Sequence, residues 1–484
     1  MSQECFIGID QGSSATKAVV LGADGGVLFR TRKELRPAFQ DNNRVEHDPD
    51  EVLASVRDVL DKTFQHCHRS GIPILGIGLS CQRSSCIAWN ESSGKPLSRV
   101  ISWRDTRCSD LVQELAGQGP RIFSLTGLPL TPYYSASKIR WLRDHCAEAK
   151  QSYTVFGTLS SYLVQQLTGA SRALIDHTNA ARTQLMNIHS LSWDRELLDL
   201  FGLSGIQLPE IRPTAFQYGG VRTASGSAPL LTAIGDQQAA LLGLGVIEKG
   251  DCGINYGTGG FLMVNTGSSL VPAPGLMSSV LLSTDNDRQY LIEGSVNAVG
   301  SALEWGRTSL GLFKEYQEVD DLCWKALTNV VVFIGLNGTG APHWEAEISS
   351  SMHGLTAEST SADMVRALVE NIAFFMNDIA GTIRTAGIET GSIALSGGLS
   401  TLSYLVQVQA DILKKEVSIS SEQEASAVGA ALLAGMQNGA WTSGDIKRMT
   451  QSAETVAGEL NPGLEKRYNR WQELHRMTKI LDRM

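Results

Sequence analysis

Short apolar runs joined by glycine turns open the chain. Residues 6–10, 17–21 and 27–29 are runs of this kind, and Gly/Ser-rich segments separate them. Apolar runs joined by short glycine turns are typical of antiparallel hairpins. The pattern therefore predicts a meander of three antiparallel strands at the N-terminus.

A helix with several start signals follows the meander. Asp48 is a capping residue, Pro49 stands at the first helical position, and Glu51 completes a capping box. Apolar residues recur at helical spacing over residues 52–64, and residues 74–79 form the next apolar run. Strands and helices alternate in this way along the chain, which predicts α/β architecture.

The second half of the chain repeats the opening pattern. Residues 253–264 again consist of an apolar run, a glycine turn and a returning apolar run. A chain of 484 residues is too long for one hydrophobic core, so the repeat indicates a duplicated architecture. The glycine-rich segment 243–250 is the candidate boundary, which gives domains over 1–244 and 245–484.

Composition excludes several classes of protein. The chain has 41 basic and 50 acidic residues, a net charge of −9, and this argues against a nucleic-acid partner. No apolar run is long enough to span a membrane, and the start of the chain lacks the pattern of a secretion signal. The eight cysteines form no CxxC pair, which favours a reduced, cytoplasmic setting. We also expect a homodimer or homotetramer.

The first candidate site is the turn DQGSSATK, which begins at Asp10. Gly12 allows the backbone to approach a ligand closely, and the turn also supplies hydroxyl groups and one positive charge, from Ser13, Ser14, Thr16 and Lys17. Such a turn suits the binding of phosphate groups. Asp10 would hold Mg²⁺ through water, because Mg²⁺ gives up its hydration reluctantly. A polar hairpin capped by Asp10 is the alternative interpretation.

The second candidate is Asp236, between an apolar strand and a helix rich in small residues. A carboxylate held at such a position suits a general base that removes a proton from a hydroxyl group. An aspartate that only caps the helix would occupy the same position, and on this pattern alone the cap is the simpler interpretation.

Two further glycine turns are candidates for nucleotide binding. Thr258 lies in the sequence GTGG, and Gly397-Gly398 follows the apolar run 392–396 and precedes a helix. A strand, a glycine pair and a helix N-terminus form a natural nucleotide pocket, although plain strand-to-helix turns have the same pattern. The Ala/Gly-rich segment 425–435 is interpreted as core first and as an adenine wall second.

These segments, in this order, resemble the FGGY family of carbohydrate kinases, within which the glycerol kinases look most similar. The resemblance covers nearly the whole chain. Its further segments are Val45-Glu46-His47-Asp48-Pro49, Gln82-Arg83, Trp103, Pro132-Tyr133-Tyr134-Ser135, Asn187-Ile188-His189, Gly340-Ala341-Pro342-His343-Trp344 and residues 354–370. The resemblance implies an α/β fold of two duplicated actin/hexokinase-like (ribonuclease H-like) domains that flank a central cleft.

The resemblance also implies an ATP- and Mg²⁺-dependent kinase that phosphorylates a hydroxyl of a small polyol or sugar. Asp236 would be the catalytic base. The residues implied for the polyol site are Arg83, Ser84, Trp103, Tyr133, Asp236, Gln237 and Phe261. Those implied for the nucleotide are Ser13, Ser14, Lys17 and Thr258 at the phosphates and Gly300, Glu304 and Gly398 near the adenosine.

One departure from the family pattern bears on the substrate. Where glycerol kinases have an Arg-Glu pair, this chain has Arg83-Ser84. A site built around that carboxylate is sensitive to its loss, so we expect a longer polyol or a sugar in place of glycerol. The stretch from Trp103 to Arg107 is similar to that of the pentulose kinases, which leaves a xylulose- or ribulose-type kinase as the alternative. A non-catalytic nucleotide-binding sensor of the same fold is a remote alternative.

Overall fold

The computed structural model describes residues 4–40, 43–336, 338–452 and 454–484. Helices and strands alternate through these residues, as the sequence predicts. The described α-helices are Pro49–Ser70, Ser109–Glu114, Gly119–Thr126, Ser135–His145, Leu159–Thr168, His177–Ala181, Arg195–Leu200, Asp236–Gly243, Gly300–Thr308, Glu318–Lys325, Ser361–Thr385, Ser403–Leu413, Ala425–Asn438, Ser443–Met449 and Pro462–Leu481.

The first large sheet, here called the N-terminal sheet, begins with the predicted meander. In sheet order its described strands are Ala215–Thr223, Gly226–Gly235, Ile74–Cys81, Cys5–Gln11, Ala15–Gly22 and Val27–Glu34. The last three strands pair antiparallel, which confirms the meander, and the second, third and fourth are parallel to one another. The predicted helix also forms, and the Asp48 carboxylate accepts hydrogen bonds from the amides of Asp50 and Glu51.

The second large sheet, here called the C-terminal sheet, repeats this arrangement. In sheet order its described strands are Met277–Ser283, Arg288–Val296, Gly260–Gly267, Cys252–Tyr256, Ile393–Ser396, Val417–Ile419 and Thr455–Val456. Antiparallel strands again lie on one side of the first strand of the repeat, and parallel strands lie on the other. The architectural duplication predicted from two glycine turns is therefore present in the topology of both sheets.

The helix Ala425–Asn438 lies against the N-terminal sheet although it follows all but the last described strand of the C-terminal sheet along the chain. Glycines on the strands allow this close approach. A Cβ on Gly8 would lie 1.8 Å from the carbonyl oxygen of Ala427, and a Cβ on Gly78 would lie 2.0 Å from that of Ala430. The Ala/Gly-rich composition therefore serves the core, which was the first of the two interpretations.

The same helix packs against the helix Asp236–Gly243. A Cβ on Gly429 would lie 1.8 Å from the carbonyl oxygen of Ala239, and a Cβ on Gly243 would lie 2.1 Å from that of Ala425. Because neither backbone can yield cheaply, these glycines fix the separation of the two helices. The packing consequently holds the first residue of the shorter helix, Asp236, in a defined place.

Smaller elements surround the two large sheets. A third sheet contains, in order, Ala38–Gln40, Arg44–His47, Val100–Ile101, Cys86–Asn90 and Thr154–Thr158. The paired short strands are Leu174–Asp176 with Glu210–Arg212, Met186–Asn187 with Ser192–Trp193, and Val331–Phe333 with Ser351–His353. Among the described helices, none combines the length and the apolar character needed to cross a bilayer.

Candidate active site

The carboxyl ends of the parallel strands of the N-terminal sheet meet at one edge. Asp10 is paired in register with Ser80, and Gly235 is paired with Cys81. Asp236 follows Gly235 directly and begins its helix. Ligands of open α/β sheets bind beyond the carboxyl ends of the parallel strands. The register thus places the two candidate carboxylates at the edge of the sheet where a ligand is expected.

Asp236 is the first residue of its helix, and Gly235 occupies the N-cap position. The aspartate is therefore not the cap that the simpler interpretation suggested, although its Oδ1 accepts a hydrogen bond from the amide of Gln237 at 2.8 Å. The Nε of Arg83 lies 3.3 Å from the same oxygen. Burial raises the pKa of Asp236 above its ordinary value, and the charge of Arg83 opposes this rise. A raised pKa suits a carboxylate that must accept a proton.

Asp10 is the last residue but one of its strand, and it is partly buried. The hydroxyl of Ser80 donates a hydrogen bond to its Oδ1 at 3.2 Å. Burial first, and then the negative charge of Asp236, raise the pKa of Asp10 to about 7. Two carboxylates that disfavour each other's charge are a suitable place for a cation. Mg²⁺ needs only one or two protein carboxylates when it keeps most of its water, so this donor set fits Mg²⁺.

Trp103 and Tyr133 lie at the surface of the predicted acceptor site, with 41% and 48% of their area exposed. A lysine that the sequence analysis did not single out, Lys138, joins them. Its Nζ donates to the carbonyl oxygens of Trp103 and Tyr133 at 3.0 and 2.7 Å, and its side chain is fully buried. Burial lowers the pKa of Lys138 to about 8. The indole NH of Trp103 donates to Ser13 Oγ at 3.0 Å, which ties this region to the Asp10 turn.

Ser84, the residue that departs from the family pattern, has a backbone φ of 64°. A residue other than glycine is uncommon in this left-handed region, and such residues are often found at functional sites. Its hydroxyl donates to the carbonyl oxygen of Arg182 at 3.2 Å, and its own carbonyl accepts from the hydroxyl of Ser135 at 3.1 Å. The short side chain is thus turned toward Arg182 and is 6% exposed.

Gln237 and Phe261 are both close to the helix Asp236–Gly243. Gln237 is the second residue of that helix and is half-buried. Phe261, on the C-terminal sheet, packs in one apolar cluster with Leu241 of the helix. The residues predicted for the polyol site therefore come from both large sheets.

The Thr258 turn contacts the other glycine segments predicted for nucleotide binding, at Gly300 and at Gly397-Gly398. The amide of Gly300 donates to the carbonyl oxygen of Gly257 at 3.0 Å, and a Cβ on Gly397 would lie 2.4 Å from that of Tyr256. A Cβ on Gly398 would have no described atom within 4 Å, so the backbone there borders open space. Glycine backbone with room beside it fits the approach of a nucleotide.

The predicted nucleotide residues that carry charge already have partners. Lys17 Nζ lies 2.8 Å from Glu424 Oε2, at the start of the helix Ala425–Asn438. Glu304 forms an ion pair with Arg307 at 2.6 Å and accepts from the hydroxyl of Tyr316 at 3.0 Å. Ser14, in the Asp10 turn, is exposed. Within the described part of the chain no hydrogen bond joins the Asp10 turn directly to the Thr258 turn, although the Lys17–Glu424 ion pair links the Asp10 turn to the later half of the chain.

Comparison with known proteins identifies the family. The N-terminal domain of the FGGY family of carbohydrate kinases matches residues 5–243, and the C-terminal domain of that family matches residues 252–438. The chain belongs to this family. It is accordingly a carbohydrate kinase, as the resemblance implied.

The chain is similar over nearly its full length to known members. A glycerol kinase of Lactobacillus acidophilus is 33% identical, with 99% of each chain covered, and one of Shewanella sp. (strain MR-4) is 36% identical, with 92% of each covered. The solved structure of Plasmodium falciparum glycerol kinase with ADP has a TM-score of 0.92 at 28% identity, and covers 99% of this chain and 98% of its own. This similarity confirms the predicted fold class of two actin/hexokinase-like domains.

The structure adds two charged residues to those predicted for the FGGY site. Arg182, after the helix His177–Ala181, and Glu293, on the C-terminal sheet, form a buried ion pair. Glu293 Oε2 also lies 3.6 Å from Nη1 of Arg83. The one sequence signal was a glutamate within an otherwise apolar strand, and its partners on distant segments could not be inferred from local pattern.

Proposed function

We propose that this kinase transfers the γ-phosphoryl group of ATP to a hydroxyl of a small polyol or sugar, with Asp236 as the general base. One observation carries the proposal: the Asp236 carboxylate lies at the ligand-binding edge of the sheet, beside Arg83, with a raised pKa. A base of this kind accepts the hydroxyl proton as the oxygen attacks phosphorus. Its position at the start of a tightly packed helix keeps it in place during the reaction.

The phosphate groups would be held between two glycine turns. On one side Ser13, Ser14 and Lys17 offer hydroxyl groups and a positive charge, and on the other Thr258 offers a hydroxyl. Asp10 would hold Mg²⁺ through water, and the cation would offset charge on the phosphates. Gly398 borders open space that would admit the adenosine, and Gly300 packs closely on the carbonyl of Gly257 in the Thr258 turn.

For the acceptor, we propose a polyol longer than glycerol, or a sugar, with glycerol a poor substrate. The relatives compared above are named glycerol kinases. Ser84, however, cannot supply the charged hydrogen-bond acceptor that a carboxylate would provide for substrate hydroxyl groups. Its hydroxyl is directed to the carbonyl of Arg182, and serine is smaller than the glutamate of the family pattern. A ketopentose is the second candidate, because the segment that begins at Trp103 is similar to that of pentulose kinases.

The assignment of the base is tested with Asp236→Asn. Asparagine keeps the size of the side chain and cannot accept the proton, so kcat should fall by about two to four decades while ADP binding, measured by calorimetry, persists. Asp251→Asn is the matched control, because Asp251 is a buried aspartate paired with Lys447 away from the cleft. Turnover near that of the unmodified enzyme in Asp236→Asn would refute the assignment.

The acceptor is tested with a substrate panel. Measured kcat/KM should be higher for erythritol, pentitols or ketopentoses than for glycerol. In Ser84→Glu the restored carboxylate should raise kcat/KM for glycerol by about 10-fold or more, since a hydrogen bond to a charged group carries that much discrimination. A clear preference of the unmodified enzyme for glycerol would overturn the proposal.

A further inference from the structure

Glu293 has a buried carboxylate that belongs to the C-terminal sheet and contacts residues of the N-terminal half across the cleft. It lies on the strand Arg288–Val296 of the C-terminal sheet, with a side chain only 2% exposed. Its Oε2 accepts a hydrogen bond from Nη2 of Arg182 and lies 3.6 Å from Nη1 of Arg83. Both arginines belong to the N-terminal half. One oxygen atom thus faces two guanidinium groups, and it bonds that of Arg182 directly.

Arg182 depends on this carboxylate, whereas Arg83 also donates from Nη1 to Oε1 of Gln238 at 3.3 Å and lies beside Asp236. The side chains of Arg83 and Arg182 are 12% and 4% exposed, so little water is available to replace a lost partner. A buried charge that loses its counter-charge is strongly destabilised. Burial raises the pKa of Glu293, but the charges of Arg182 and Arg83 outweigh it and hold the pKa below its ordinary value. The carboxylate is therefore ionised and able to hold both partners.

The cluster continues into the candidate site in two directions. Through Arg83 it reaches Asp236, whose Oδ1 lies 3.3 Å from the Nε of that arginine. Through Arg182 it reaches Ser84, whose hydroxyl donates to the Arg182 carbonyl. The orientation of Arg83 between Glu293 and Asp236 thus depends on a residue of the opposite half of the molecule.

We propose that Glu293 is a positioning residue for the acceptor: it holds Arg83 against Asp236, so that the acceptor site is complete only when the two halves are together. This inference rests on the proposed function of Asp236. Without the Glu293 charge, Arg83 would keep only Asp236 and Gln238 as partners, and its guanidinium group would move further onto Asp236 or away from the site. Either movement weakens acceptor binding, whereas the nucleotide contacts lie on other segments and are unaffected.

The test is Glu293→Gln, which keeps the shape and removes the charge. With erythritol, a pentitol and a ketopentose as acceptors, the KM for the acceptor should rise on the order of 10- to 100-fold, the range for a hydrogen bond to a charged group. The KM for ATP should stay within about two-fold. Glu293→Asp, which keeps the charge on a shorter stem, should restore part of the acceptor affinity, and a purely structural role would not predict this pattern.

The matched control is Glu370→Gln, which removes an equally buried charge in the C-terminal half, where Glu370 binds Arg467 through two hydrogen bonds of 2.7 Å. It should lower thermal stability without a selective change in acceptor KM. Should Glu293→Gln fail to fold, Arg182→Lys provides the same comparison. If neither variant changes the acceptor KM selectively, the inference is wrong. If Asp236→Asn loses turnover in the same experiments, the proposed function still stands.

Discussion

Gly429→Ala tests whether helix packing positions Asp236, the proposed catalytic base. An added Cβ would lie 1.8 Å from the carbonyl oxygen of Ala239 and 2.8 Å from the amide nitrogen of Gly243. Ordinary contacts between such atoms are about 3.5 Å, so the helices Ala425–Asn438 and Asp236–Gly243 would have to separate by more than about 1 Å. No flexible side chain can absorb this overlap, because the atoms that are met belong to the backbone.

The expected effects concern both stability and activity. Overpacking of this kind costs about 1–3 kcal/mol of the free energy of unfolding. The melting temperature shifts by about 2–4 °C per kcal/mol in proteins of 150–250 residues and by less in this longer chain. A displacement of about 1 Å at Asp236 would lower kcat by about 100-fold, because catalysis depends steeply on the placement of the reacting groups. Calorimetry and steady-state kinetics on the same preparation measure both.

Gly381→Ala is the matched control, since Gly381 also lies inside a helix, Ser361–Thr385. There the nearest described atom to an added Cβ is Arg384 Nη2 at 3.7 Å, so the alanine fits. Alanine is the better helix former by about 0.5–1 kcal/mol, and this variant should be slightly more stable with unchanged kcat. If Gly429→Ala retained the kcat and stability of the Gly381→Ala variant, the packing argument would be refuted.

Two further predictions concern charge. Asp10→Asn should stabilise the ligand-free enzyme at pH 8 but not at pH 3. The pKa of Asp10 is about 7 in the folded protein against 3.8 for an ordinary aspartate, so the folded state favours the protonated carboxyl group. The stability that this proton contributes is lost as the pH rises through 7, and asparagine, which stays neutral, avoids the loss. About three pKa units at about 1.36 kcal/mol each set an upper limit of about 4 kcal/mol, and urea unfolding at both pH values measures it. Glu424→Gln should lower the KM for ATP by up to about five-fold, because it releases Lys17 from an ion pair of modest strength. An increased KM for ATP would contradict the proposed role of Lys17 in binding the phosphates.

The local elements could be predicted because their signals are local. Asp48 and Pro49 start their helix as the capping rules require, and glycine turns mark both meanders. Asp236 was located by its place between a strand and a helix, although its sequence pattern also allowed a cap. The remaining predicted site residues come from the family resemblance, by their position in the chain, and stay predictions.

What the sequence could not predict are contacts between distant segments. Lys138 donates hydrogen bonds to two loop carbonyl groups, and nothing in the sequence around it, such as the neighbouring Ile139, indicates these contacts. Glu293 is more than 100 residues from Arg182, and the contact exists only because both sheets face one cleft. The helix Ala425–Asn438 likewise lies in the chain between strands of the C-terminal sheet and packs on the N-terminal sheet. In each case the tertiary fold, rather than local preference, selects the partner.

Three contacts cross between the halves of the molecule. The proposed base, Asp236, begins a helix that packs against a helix from the later part of the chain, Arg83 pairs with Glu293, and Lys17 pairs with Glu424. A kinase must exclude water while the phosphoryl group is exposed, or ATP is hydrolysed. Groups of the acceptor site such as Arg83 reach their full orientation only when residues of the opposite half contact them. When the cleft is open, the acceptor site is therefore also incompletely assembled. The cross-cleft charges would thereby couple the exclusion of water to the orientation of the base.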